Sequence, residues 1–85
     1  MKKIKLTELL HIPTDFLEAF DALPTLIYGK KVSEVELTFQ SEEELKITQH
    51  LMNVVIKMAF EKWEAEEKNS MPKEMKDLSD FINNI

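Results

Sequence analysis

The spacing of apolar residues in the second half of the chain predicts one long helix over residues 41–68. Ser41 and Glu44 form a capping box, in which each side chain satisfies a backbone N–H that the first helical turn leaves free. The glutamates at 42–44 also suit the positive N-terminal end of a helix. We therefore expect a helix to begin at residue 41 and the rest of the chain to be organised around it.

Apolar side chains fall on two faces of this helix when successive residues are placed about 100° apart. One face carries Leu45, Met52, Val55, Ile56, Ala59, Phe60 and Trp63, and the other carries Ile47, Leu51, Val54 and Met58. At about 1.5 Å per residue the helix is roughly 42 Å long, more than one small chain can cover on two sides. The pattern therefore predicts self-association, most simply as a homodimer, through Leu51, Val54, Val55 and Met58.

Strict alternation of apolar and polar residues predicts two strands in the first half, over residues 2–6 and 32–39. The polar face of the first strand carries lysines and that of the second carries glutamates. Opposite charges across neighbouring strands contribute about 0.2–1 kcal/mol per pair, so we expect the two strands to be adjacent. Their apolar faces would cover one side of the long helix.

Shorter elements fill the remaining segments. Thr7 is expected to cap one helical turn that ends before Pro13. Thr14 is expected to cap a second helix, and cap and helix together cover residues 14–23. Residues 25–28, before the single glycine, are compatible with either a strand or a last helical turn.

A last helix is predicted over residues 71–83, with Ser70 as its N-cap and Pro72 in its first turn. Its apolar residues form a narrow heptad seam containing Met71, Met75 and Leu78. The methionines would either fill gaps in the core or line an adaptable partner-binding groove. Because the seam is narrow, this helix is predicted to fray first.

The expected fold class is therefore α+β and mostly helical, in a single small domain covering residues 1–85. A small antiparallel β-sheet packs on a long central helix, with a short helix in the N-terminal half and a C-terminal helix.

Charge and composition narrow the function classes. The net charge is −5, and all 11 basic residues are lysines. The chain therefore lacks the arginine guanidinium group, which binds phosphate and guanine best, and direct nucleic-acid binding is not expected. The absence of cysteine predicts a reducing, cytoplasmic location without disulfides. No apolar run approaches the ~18 residues that span a membrane.

Catalytic and ligand-binding motifs are not found. The chain has two histidines, no cysteine and no Gly-x-Ser-x-Gly turn, so a nucleophilic triad lacks its usual parts. The single glycine cannot build a glycine-rich phosphate-binding loop. Glu43 and His50 are two helical turns apart, which is too far for both to bind one metal ion. The sequence therefore predicts no enzyme activity, no cofactor and no metal site.

An acidic run near the end of the long helix surrounds an aromatic residue. Either this run is a solvated face neutralised by lysines four residues away, with the aromatic ring in the core, or it is an acidic surface around an interface anchor. The residues predicted to bind a partner on the second interpretation are Glu61, Trp63, Glu64, Glu67, Met71, Met75 and Leu78.

These features predict a small acidic non-enzymatic regulator or adaptor that binds another protein and self-associates. One alternative is an acidic inhibitor, of the kind that phages and mobile elements encode, which blocks a nucleic-acid-binding site on a host protein. Another is an assembly chaperone that shields an apolar segment of its client. Binding through carboxylates weakens steeply in salt, whereas binding through apolar anchors does not.

Overall fold

The computed structural model describes residues 2–22 and 30–84, and within them the fold is α+β and mostly helical, as predicted. The elements in chain order are β1 (Lys2–Lys5), α1 (Leu6–Leu9), α2 (Thr14–Asp21), a 3-10 turn (Val32–Glu34), β2 (Glu36–Phe39), α3 (Glu42–Ala65) and α4 (Lys73–Asn83). The predicted alternatives for residues 25–28 lie outside the described residues. Among the described helices, none is long and apolar enough to cross a membrane.

α3 begins where the sequence predicts and ends earlier. The Ser41 Oγ accepts a hydrogen bond of 3.1 Å from the Glu44 N–H, which confirms the predicted cap. The helix stops at Ala65 because Glu67 and Lys68 adopt left-handed backbone angles, with φ of 57° and 62°. The Lys68 N–H then donates to the Trp63 carbonyl at 2.8 Å, which closes the helix end in the manner of a Schellman motif.

Removal of the α3 cap is expected to have a modest effect. Ser41→Ala leaves the Glu44 N–H without its acceptor, which we expect to lower the free energy of unfolding by about 1 kcal/mol. Ser41→Asp keeps an acceptor at the same place and serves as the control. Urea denaturation checks both variants, and equal stability of Ser41→Ala and the wild type would contradict the role of the cap.

β1 and β2 pair in antiparallel fashion, which confirms the predicted adjacency. In the register, Ile4 lies opposite Leu37 and Lys5 lies opposite Glu36, so one oppositely charged pair spans the sheet. β1 is one residue shorter than the predicted strand, because Leu6 already belongs to α1.

The predicted strand over 32–39 is wrong in its first half, where the chain forms the 3-10 turn. Val32 and Val35 are both buried although they are three positions apart. Two such residues would point to opposite faces of a strand, whereas one turn of helix brings both to the same side. Burial of both valines therefore favours the turn over a longer strand.

The caps of the shorter helices also differ from the predicted ones. The N-cap positions of α1 and α2 are Lys5 and Pro13, and neither Thr7 nor Thr14 caps a helix. α2 ends at Asp21 instead of residue 23.

α4 begins later than predicted. Its N-cap is Pro72, and Ser70 donates its hydroxyl to the Glu66 carboxylate at 2.7 Å instead of capping the helix. Pro72 holds extended backbone angles, φ −62° and ψ 149°, so helical geometry starts only at Lys73.

A single apolar core lies between α3, the sheet and the other helices. Its buried members are Leu6, Leu9, Leu10, Phe16, Phe20, Val32, Val35, Leu37, Phe39, Met52, Ile56, Ala59, Trp63, Met75, Leu78 and Ile82. α3 thus contributes residues from only one of its two apolar faces, and α4 contributes its whole central seam.

Candidate protein-interaction surface

The second apolar face of α3 remains on the surface. Ile47, Leu51, Val54 and Met58 are 55%, 57%, 44% and 48% exposed, and we call these four residues the α3 stripe. They follow one another at intervals of four, three and four residues, which places them in one line about 17 Å long. On the opposite side of the helix Ile56 is only 1% exposed. α3 therefore uses one apolar face for the core and presents the other to solvent.

α4 extends this apolar surface sideways. Phe81 is 51% exposed, and it borders a cleft of about 210 Å³ between α3 and α4. The cleft is lined by Leu51, Met52, Val55, Asp77, Leu78 and Phe81. Asp77 is the only charged residue of this lining, so the apolar surface runs without a break from the α3 stripe to the Phe81 ring.

The residues predicted for self-association lie together at this surface. Leu51, Val54 and Met58 belong to the α3 stripe, and Val55 is half-buried in the neighbouring cleft. Ile47 is not among the predicted residues, although its spacing from Leu51 places it on the same face. Phe81 is not among them either, since its exposure depends on how α4 is rotated against α3, and the sequence carries no signal for that rotation.

The structure divides the residues predicted for partner binding between surface and core. Glu61, Glu64 and Glu67 are exposed, and Met71 is half-buried. Trp63, Met75 and Leu78 are buried in the core. The acidic run therefore lies on the surface above apolar side chains that a partner does not reach in this structure.

Trp63 belongs to an aromatic cluster that joins α2 to α3. Its ring centroid lies 4.8 Å from that of Phe16 and 6.0 Å from that of Phe60. The Lys68 Nζ lies 5.4 Å from the indole centroid on the solvent side, a distance suited to a cation–π contact. The indole is therefore a core group covered by a lysine, which agrees with the placement of the ring in the first of the two interpretations.

Lysines near the end of α3 bond to other elements and not along the helix. Lys68 pairs with Asp15 of α2 at 3.0 Å, and Lys62 pairs with Glu74 of α4. In each case the lysine hydrogen bond is the main cause that lowers the carboxyl pKa below its usual value. A lowered carboxyl pKa stabilises the fold above the unfolded-state pKa, and this contribution is lost as the pH falls through the folded-state value. The two surface pairs therefore add to the contacts of the α3 end with α2 and α4 at neutral pH, and this contribution is lost in acid while the apolar core remains.

The histidines do not assemble a metal site in the described part of the chain. Within residues 2–22 and 30–84, no three His, Asp or Glu side chains are grouped closely enough to hold an ion. His50 is exposed, and the His11 backbone N–H donates to the Asn53 Oδ1 at 2.9 Å.

Comparison with known proteins found no protein-family model, no curated protein and no solved structure that matches the chain.

Proposed function

We propose that the chain is a small acidic, non-enzymatic protein-binding regulator or adaptor that self-associates through α3. The observation that carries this proposal is the α3 stripe, in which four large apolar side chains are each about half exposed in one line. Full burial of such a side chain is worth about 1.5–3 kcal/mol, so covering the exposed halves of four of them gives a substantial driving force for association.

A second copy of the chain fits the α3 stripe. In an antiparallel pair related by a two-fold axis, Leu51 of each copy faces Val54 of the other, and Ile47 faces Met58. All four residues are then used twice, as a self-complementary interface requires. The heptad positions before and after the stripe are Glu44 and Glu61, so the apolar line ends where the pairing ends.

Charge favours the antiparallel orientation. A parallel pair would set the glutamates at 42–44 of both copies side by side, and would also bring Lys57 and Lys62 of the two copies together. In the register given above, the antiparallel pair places Lys62 of each copy level with Glu43 of the other and Glu44 level with Glu61, and it opposes the two helix dipoles.

The mass of the protein in solution tests the proposal. We expect light scattering at micromolar concentration to give twice the single-chain mass of 10.0 kDa. Leu51→Glu places two carboxylates against apolar surface in each dimer, which we expect to weaken association at least about 100-fold. Leu51 is 57% exposed, so the variant should remain folded as a monomer.

Lys46→Glu is the matched control, because it adds a carboxylate to the exposed polar side of the same helix. This variant should remain a dimer. Because the stripe is uncharged, association should also hardly change from low to high salt. A single-chain mass for the wild type at every concentration would contradict self-association.

A further inference from the structure

β2 has an edge that β1 does not use. In an antiparallel ladder, directly opposed residues alternate between pairs that exchange hydrogen bonds and pairs that do not. The Leu6 N–H donates to the Val35 carbonyl at 2.9 Å, so the pair Leu6 and Val35 is of the bonded kind.

Two residues further along the register, Ile4 and Leu37 form the next bonded pair, and Glu36 and Thr38 occupy the alternate positions. The backbone N–H and C=O groups of Glu36 and Thr38 therefore point away from β1. In the described part of the chain, β1 is the only strand that pairs with β2. Four backbone groups thus face outward along this edge.

A depression runs along the same edge. Its volume is about 370 Å³, and it is lined by all four residues of β2 together with Glu44, Thr48 and Phe81. This volume lies within the ~300–1,000 Å³ range of ligand-binding sites in proteins. The half-exposed Phe81 ring, across from the strand, supplies an apolar wall.

The charge of the depression selects the class of ligand. Glu36 and Glu44 are both exposed, and Lys5, which lies opposite Glu36 on β1, is not among the residues that line the site. The side chains of Glu36 and Thr38 alternate with the buried Leu37 and Phe39, as expected for a strand with one solvent face. A ligand that pairs with this edge therefore meets two carboxylates and one aromatic ring.

From this geometry we infer that β2 accepts an extended, basic segment of a partner protein as an added strand. The segment forms main-chain hydrogen bonds to Glu36 and Thr38, as in other complexes formed by β-strand addition. Its lysine or arginine side chains meet Glu36 and Glu44, and an apolar side chain packs on Phe81. None of the residues that line this site belongs to the α3 stripe, so the inference does not rest on self-association.

A second copy of this chain is the competing occupant. Its β2 is excluded by charge, since Glu36 of one copy would face the same acidic edge of the other. Its β1 carries Lys3 and Lys5 and is basic. Addition of β1 to β2 would join unlike surfaces and build an open chain of copies that grows with concentration.

Fluorescence polarisation with a labelled seven-residue peptide of alternating lysine and valine tests the proposal. Thr38→Pro removes one outward N–H, and proline is tolerated at edge positions whose N–H faces solvent. Lys3→Pro is the matched control, because it makes the same change on the outer edge of β1. We expect Thr38→Pro to weaken peptide binding at least about tenfold and Lys3→Pro to leave it unchanged, with the fold of both checked by circular dichroism.

Charge variants separate strand addition from general attraction to an acidic protein. Glu36→Lys and Glu18→Lys change the net charge equally, and only the first lies at the depression. We expect Glu36→Lys to weaken binding at least about tenfold and Glu18→Lys, on the exposed side of α2, by less than about twofold. A valine-lysine peptide methylated on alternate backbone nitrogens should bind at least about tenfold less tightly if strand addition is correct.

Several outcomes would overturn the inference. Equal binding by Thr38→Pro and Lys3→Pro, or by the methylated and unmethylated peptides, would exclude main-chain pairing. If the mass grows with concentration and each proline variant abolishes that growth, the edge is assigned to β1 of a second copy. Leu51→Glu should bind the peptide normally, so failure of self-association and failure of strand addition are distinguishable.

Discussion

Ile56→Asp is expected to abolish cooperative folding. Ile56 is 1% exposed at the middle of the core face of α3, between the buried Met52 and Ala59. The variant loses an apolar side chain whose removal alone costs about 2–5 kcal/mol, and it buries a carboxylate within a cluster of apolar side chains. Together these two costs are comparable with the free energy of unfolding of a small domain, about 5–15 kcal/mol. Circular dichroism should show a loss of helix at room temperature and no thermal transition.

Val55→Asp is the contrasting variant. The periodicity of the sequence places Val55 at the centre of the apolar arc and predicts that this change alone unfolds the chain. In the structure Val55 is half-buried beside the open cleft, so its carboxylate can reach water. We therefore expect a folded protein that is about 1–3 kcal/mol less stable than the wild type. A cooperative melt of Ile56→Asp at the wild-type temperature would contradict the placement of the core face.

Met75→Ala is expected to destabilise the whole domain by about 2–5 kcal/mol, and not to release α4 alone. Met75, Leu78 and Ile82 are all buried against the rest of the core. At about 1.5–3 kcal/mol for each buried side chain, the seam of α4 contributes several kcal/mol, a large part of the stability of a small domain. The burial of this seam argues against the sequence-based expectation that α4 frays first.

Amide hydrogen exchange measures this directly. Amides of α4 around Met75 and Leu78 should exchange with nearly the same free energy as amides at the centre of α3, because both open only in global unfolding. Lys76→Ala, at an exposed neighbouring position, is the control and should leave stability within about 0.5 kcal/mol. If the amides of α4 exchanged well before those of α3 in the wild type, the expectation that α4 frays first would be correct.

Several features of this fold follow from the sequence by itself because they depend on neighbouring residues. The start of α3 is set by Ser41, whose hydroxyl reaches the N–H of a residue only three positions away. The adjacency of β1 and β2 is indicated by their lysine and glutamate faces, although only Lys5 and Glu36 lie opposite each other in the register. The class α+β follows from the two periodicities. The two apolar faces of α3 are likewise visible in the residue spacing, which fixes the angles between side chains on one helix.

Tertiary structure decided which of these faces enters the core. Helical spacing gives no preference between the two sets, and the limited volume of the sheet and the other helices covers only the face that contains Ile56. The same limit leaves the α3 stripe exposed and places Trp63 inward against Phe16. Burial of Val32 and Val35 on one side similarly converts part of a predicted strand into a turn. These outcomes depend on contacts between residues far apart in the chain, and such contacts are not encoded in local periodicity.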